Sequence, residues 1–340
     1  MSAGSLTLDD KAAAPTTRRR TPTGDAVRQL VKNKAAVVSI VIIATMIFIA
    51  IFADTTVFTW FTGGEAQPLI APYHYAEVDF ANANAPAFTH TEEGKFYILG
   101  TDYIGRDNLS RTLYGTRISL AVAFVASTVS LIVGMIFGMI SGYGSPGRDN
   151  VMMRFVDFLY GFPLIIFIIL MQVYFKALGA RGSTNPVVDW ILQVDQAMGG
   201  IFLVFVAIGL ISWLSMARIA RGQTLSYKKK EFVEAARAVG SNDNRIIRKH
   251  VFPNILGPCI VTETLAIPGY ILTEAFLSFI GLGANPPTPS WGIMISETYT
   301  AMRVAPLNVF VPAIALTLTT LAFNFLGDGL RDAFDPRLRE

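Results

Sequence analysis

Cysteine is almost absent. Cys259 is the single one in 340 residues, so neither an internal disulfide nor a multi-cysteine metal site can form. Charge is scarce too: 16% of residues are charged, against roughly 25% in a soluble domain. The 28 Lys and Arg nearly balance the 25 Asp and Glu, leaving +3, too even for a nucleic-acid surface. His74, His90 and His250 are dispersed and do not form a ligand cluster. The motifs of energy use and hydrolysis are missing as well. No stretch fits the phosphate loop G-x-x-x-x-G-K-[ST], since the one Gly-Lys pair, Gly94-Lys95, is followed by Phe96. There is no H-E-x-x-H and no G-x-S-x-G. No half of the chain repeats the other. The sequence therefore offers no means of its own to bind ATP, hold a cofactor or metal, or cleave a substrate.

Apolar residues are what it has: 52% of the chain, with a mean hydropathy of +0.46. A membrane helix needs about 20 such residues, and residues 35–53, about 118–142, 155–177, 198–217, 257–282 and 307–327 supply six runs. The first run has 19 residues and starts at position 35, so it reads as an uncleaved span and not as a signal peptide. The expected fold is all-α and polytopic, with six transmembrane helices and both termini on one side. Of the Lys and Arg, 21 fall on the side of the termini and seven on the other, which predicts cytoplasmic termini.

The division that follows is a cytoplasmic tail 1–34, a first span 35–53, an external segment 54–117, a core 118–327 with a cytoplasmic loop 218–256, and a tail 328–340. Residues 1–23 read as a disordered tail. Asp25 is placed to cap a short helix lying on the inner leaflet, with Val27, Leu30 and Val31 on one face. Segment 54–117 is longer than a hairpin needs, which suggests a small folded element or a docking surface. In the second run Ser130, Gly134, Gly138 and Gly142 form a small-residue stripe that predicts close helix packing. Arg154 and Asp157, three apart, are placed to pair at the mouth of the third run. Glu263 and Glu274 lie eleven residues apart in the fifth. That separation is within about 20° of three full turns, so they share a face; that face lines either a transport pathway or a helix contact. An ion-gradient-driven transporter using these two carboxylates is the alternative function. Pro268-Gly269 between them is expected to bend the helix.

The loop after the fourth run reads EFVEAARAVGSNDNRIIRKHVFPN over 231–254. Phe232, Ala235, Ala236 and Val239 recur at helical spacing as an apolar stripe. Gly240 can end that helix in the left-handed region. Ser241 or Asp243 can cap a second helix, which Pro253 is expected to stop. This loop resembles the EAA loop of ABC importer permeases, E-A-A-x3-G-x9-I-x-L-P, on Glu234, Ala235, Ala236, Gly240 and Pro253. His250 and Phe252 stand in the Ile and Leu positions. LGTDYIGRDNLSRTLYGTRISL at 99–120, MRFVDFLYGFP at 153–163 and EAFLSFIGLGANPPTPSWG at 274–292 are similar to the C-type permease subunit of dipeptide, oligopeptide and nickel ABC importers.

The resemblance implies a type I ABC importer permease fold in the cytoplasmic (inner) membrane. It implies a non-catalytic subunit that forms half of a pore for peptides with a second permease chain. Two ATPase domains would bind ATP and Mg beneath, and an extracytoplasmic substrate-binding protein would deliver cargo. Glu234, Ala235, Ala236, Arg237, Gly240 and Pro253 would then couple to an ATPase. Glu263 and Glu274 are the pathway candidates.

Overall fold

Asn33 separates the first two helices. Its side chain accepts from the amides of Ala35 and Ala36 at 3.1 and 3.2 Å. It thereby caps α2 (Lys34–Phe52) where α1 (Pro22–Lys32) has just ended. The computed structural model describes residues 22–56, 66–182 and 185–334; the tail 1–21 and the last six residues lie outside it. α1 starts with proline at Pro22, so Asp25 falls inside its first turn and is not its cap.

The helices that follow are α3 (Asn108–Tyr143), α4 (Pro146–Tyr160), α5 (Leu164–Arg181), α6 (Pro186–Ala197) and α7 (Phe202–Lys228). Next come α8 (Glu231–Ala238), α9 (Asp243–Ile246), α10 (Phe252–Phe279), α11 (Trp291–Thr298) and α12 (Leu307–Phe334). Five of the helical stretches are long and apolar enough to cross a membrane. α4 and α5 make a sixth only if counted together, because they meet at a 71° bend. The third run is therefore broken: Pro163 disfavours helix at the residue before it, and the chain turns at Gly161 and Phe162. The other spans outrun their apolar cores. α3 starts ten residues before position 118, α7 continues through Lys228, and α12 reaches Phe334. Polar helix turns carry no hydropathy signal, so helix continues into the stretches 54–117 and 218–256.

α3 is the hub. A Cβ on Gly134 would lie 2.5 Å from the Met216 Cβ, one on Gly138 2.4 Å from the Ala217 carbonyl oxygen, and one on Gly142 2.8 Å from that of Arg221. The Ser130 hydroxyl donates to the Ser212 carbonyl at 3.1 Å. The small-residue stripe thus packs within the chain, against a parallel α7 stepping through Ser212, Met216, Ala220 and Thr224. α10 runs antiparallel to α3 on another side, and α12 packs on α2 and α10. A Cβ on Gly329 would meet Ala36 at 2.4 Å, and one on Gly257 would meet the Phe334 ring at 3.0 Å. Both described chain ends therefore sit at the end of the bundle that carries the 229–251 loop.

At the opposite end, residues 66–107 form a folded element. Strands β1 (Thr89–His90) and β2 (Phe96–Tyr97) pair antiparallel. Gly105 holds φ +85°, and a Cβ there would lie 1.8 Å from the Asp79 carbonyl oxygen.

Candidate coupling loop and its supporting motifs

Between α7 and α10 the chain makes a helical hairpin. α8 ends in a Schellman exit: the Ser241 amide donates to Ala236 at 3.0 Å and the Gly240 amide to Arg237 at 3.0 Å, with Gly240 at φ +84°. Because Gly240 and Ser241 are spent on that exit, the second cap falls on Asn242, whose side chain accepts from the Arg245 amide at 2.9 Å, and not on Ser241 or Asp243. Val233 is the buried anchor of α8; with Ala236 it packs on Ile246, Val251 and Ile255. Of the stripe read from the sequence only Ala236 reaches this core; the other three residues point away from it. Phe232 is 43% and Val239 87% exposed, and Ala235 is exposed between them. Glu234 and Arg237 are exposed as well.

Pro253 does not stop the second helix. Residues Ile247–Val251 form a π turn, in which the Phe252 amide donates to the Ile247 carbonyl five residues back. A proline ring clashes with the carbonyl of the preceding turn. The widened turn removes that clash, and α10 starts with Pro253 in its first turn. α9, the π turn and α10 form one helical span from Asp243 to Phe279. It runs through Pro258 and Pro268 with no break in its helical assignment.

Glu263 and Glu274 share the α10 face that meets α3. Glu263 accepts from the Ser130 and Tyr270 hydroxyls, both at 2.9 Å, and borders a cavity of about 150 Å³. Glu274 accepts from Ser119 at 3.0 Å and Ser278 at 2.7 Å. Two serines eleven residues apart on α3 thus answer two glutamates eleven apart on α10. Arg154 and Asp157 do not pair. Asp157 accepts from Arg218 at 2.8 Å, whose guanidinium also lies 4.0 Å over the Tyr160 ring.

The 99–120 and 274–292 stretches meet at the end opposite the loop. The Trp291 indole, fully buried, donates to the Thr112 carbonyl at 3.1 Å. Asp102 Oδ2 accepts from Arg106 Nε and Arg111 Nη1, both at 2.6 Å. Glu297 Oε2 accepts from Arg106 Nη2 at 2.7 Å and Arg111 Nη2 at 2.8 Å. This closed ring of two cations and two anions joins the folded element and α3 to α11. Burial alone would push the Arg106 guanidinium down, but Asp102 and Glu297 outweigh it and raise it. Asn108 donates to Asn308 at 2.7 Å beside the ring, tying in α12. Asp102, Arg106 and Arg111 lie within the 99–120 stretch, but Glu297 lies outside both motif stretches and 186 residues beyond Arg111, so the ring has no local signature. Among the described residues no group of three His, Cys, Asp or Glu could hold a metal.

The profile described as binding-protein-dependent transport system inner membrane component matches residues 134–340. The one described as the N-terminal TM domain of oligopeptide transport permease C matches 21–87. The chain belongs to the binding-protein-dependent transport system inner membrane component family. It is 44% identical to the oligopeptide transport system permease protein OppC of Haemophilus influenzae, over 93% of this chain and 88% of that protein. Identity to the dipeptide transport system permease protein DppC of Bacillus subtilis is 35%, covering 93% and 86%. In fold it resembles a chain of the MetNI methionine ABC transporter, with TM-score 0.51 at 17% identity over 66% of this chain and 96% of that one. The protein is thus a multi-pass inner-membrane permease subunit of an ABC importer, itself non-catalytic. The ion-gradient alternative finds no support, either in these relatives or in the two glutamates, whose carboxylates are both engaged by hydroxyls.

Proposed function

We infer that this chain forms half of the translocation pore of an ATP-driven peptide importer and takes its driving force through α8. The exposed stripe of Phe232, Ala235 and Val239 carries this reading. An apolar surface held rigidly on a short polar helix, with its anchor Val233 fully buried, is built for a partner and not for water. In this reading Glu234 and Arg237 flank the contact, Ala235 and Ala236 permit close approach, and Gly240 and Pro253 fix the angle at which α8 meets the long helix. ATP and Mg belong to two ATPase domains on partner chains, and a second permease supplies the other half of the pore. The cation-rich loop end faces the cytoplasm. The opposite end, with Phe80 77%, Phe88 69% and Val304 84% exposed, meets a substrate-binding protein. The names of the relatives favour oligopeptides or dipeptides as cargo.

The test is co-expression of the whole importer with Val239→Asp. Unchanged membrane insertion with loss of ATPase co-purification is expected. Full retention of the ATPases together with wild-type uptake would overturn the coupling role.

A further inference from the structure

Beside the loop, at the same end of the bundle, lies a cleft of about 900 Å³ that shares only Arg237 with the coupling contact. Three cations from three separate elements border it: Arg148 on α4, Lys228 at the end of α7 and Arg237 on α8. Asp243 is the one carboxylate in its lining, so the lining carries a net charge of +2. Asp243 is also engaged, accepting from the Tyr143 hydroxyl at 2.8 Å. Lys228 is held in place by the Tyr143 and Gly144 carbonyls at 2.8 and 3.1 Å. Arg237 donates to the Tyr143 hydroxyl at 3.2 Å. Arg148 makes no ion pair or hydrogen bond among the described residues, though it lies against Gly144, where an added Cβ would be 2.4 Å from its Nε. An exposed guanidinium on a flat helix surface would be left to solvent, whereas this one stands at the edge of a concave basic site. The cleft also has an apolar border in Ile140, 44% exposed on the outward side of α3 one turn before its end. The site therefore spans the level at which a membrane's hydrocarbon gives way to headgroups, and basic pockets at helix ends are suited to anionic headgroups.

The geometry points to a binding site for a phosphate-bearing anion between Arg148, Lys228 and Arg237, occupied by the headgroup of an anionic phospholipid. The phosphodiester bridges the α3–α4 turn to α8, and the acyl chains leave along Ile140. A bound lipid thus ties the coupling loop to the span beneath it.

The test uses the assembled importer, permeases and ATPases together, in nanodiscs of phosphatidylcholine with or without phosphatidylglycerol. Lipid retained on gentle release is read by native mass spectrometry. Phosphatidylglycerol should remain bound to the wild type and fall at least fivefold in Arg148→Gln. Arg148→Lys should restore it, and Arg154→Gln, at the same end but outside the cleft, should leave it unchanged. Equal retention of phosphatidylglycerol by wild type and Arg148→Gln would overturn the site. Equal retention of both lipids by the wild type would overturn its charge selectivity. Displacement of the lipid by millimolar inorganic phosphate, with phosphate alone protecting the complex equally well, would assign the cleft to a soluble anion and overturn the headgroup reading. Arg148 is exposed on the first turn of α4, so its variants are expected to assemble normally, which size-exclusion of the complex checks.

Discussion

Two glycines in the same backbone region carry different loads. Gly240 has open space where a Cβ would go, so Gly240→Val costs only the left-handed backbone, about 1–2 kcal/mol. Gly105 has the Asp79 carbonyl oxygen 1.8 Å from that point, so even Gly105→Ala must also displace a backbone segment. Thermal unfolding of the detergent-solubilised complex should show a small loss for Gly240→Val and a much larger one for Gly105→Ala, while only the first leaves an assembled importer whose ATP hydrolysis no longer drives uptake. Asp54 gives a pH signature. Burial pushes its carboxyl up, yet hydrogen bonds from Arg117 and Thr56 outweigh this and hold it below its ordinary value. A depressed folded value contributes stability above the unfolded pKa of about 3.9 and loses it as pH falls through the folded one. Acid unfolding below about pH 4 should therefore be less steep in Asp54→Asn than in the wild type; identical acid limbs would remove Asp54 from the account.

Elements were legible where one pattern dominated. The Ser130–Gly142 stripe announced a close helix contact because small residues at four-residue steps have few other uses in lipid, and Gly138→Leu should separate α3 from α7 and abolish assembly, measured as loss of the monodisperse complex. The left-handed exit at Gly240 was legible for the same reason. What local pattern could not give was anything decided by a distant neighbour. Phe232, Ala235, Ala236 and Val239 form a stripe at the right spacing, but spacing does not say whether a stripe faces the core, and here only Ala236 does, beside Val233. Pro253 looked like a stop because the π turn that accommodates it has no signature of its own. Asp157 found Arg218 on another helix, although Arg154 was nearer in sequence. Glu297 completes a charge ring whose other members lie nearly two hundred residues earlier. Removing one partner of such a buried set strands the others, so Glu297→Gln should lower stability by about 3–5 kcal/mol. A Glu297→Gln protein melting within a degree of wild type would refute the ring's structural role.

Over the whole molecule, α9, the π turn and α10 form one helical stretch from Asp243 to Phe279. At about 1.5 Å per residue its 37 residues extend roughly 55 Å. One end carries α8, and the other carries Glu274 near the buried Trp291. The helical assignment is continuous from the loop to the opposite end, through Pro258 and Pro268. Glu263→Gln and Glu274→Gln should keep ATP-driven uptake within a fewfold of wild type in proteoliposomes, and a proton uncoupler should leave that uptake unchanged. Collapse of uptake with the uncoupler would revive a gradient-driven mechanism.

The charge ring also sets a timetable for biosynthesis. Arg106 precedes Glu297 by 191 residues, and at roughly 5–20 residues per second the ribosome needs about 10–40 s to supply the missing carboxylate. Until then the nascent chain holds two arginines and one aspartate in a site with no water to spare, so the element around residues 66–107 stays loosely seated. A chain cut short before Trp291 lacks Glu297 and so never closes that site.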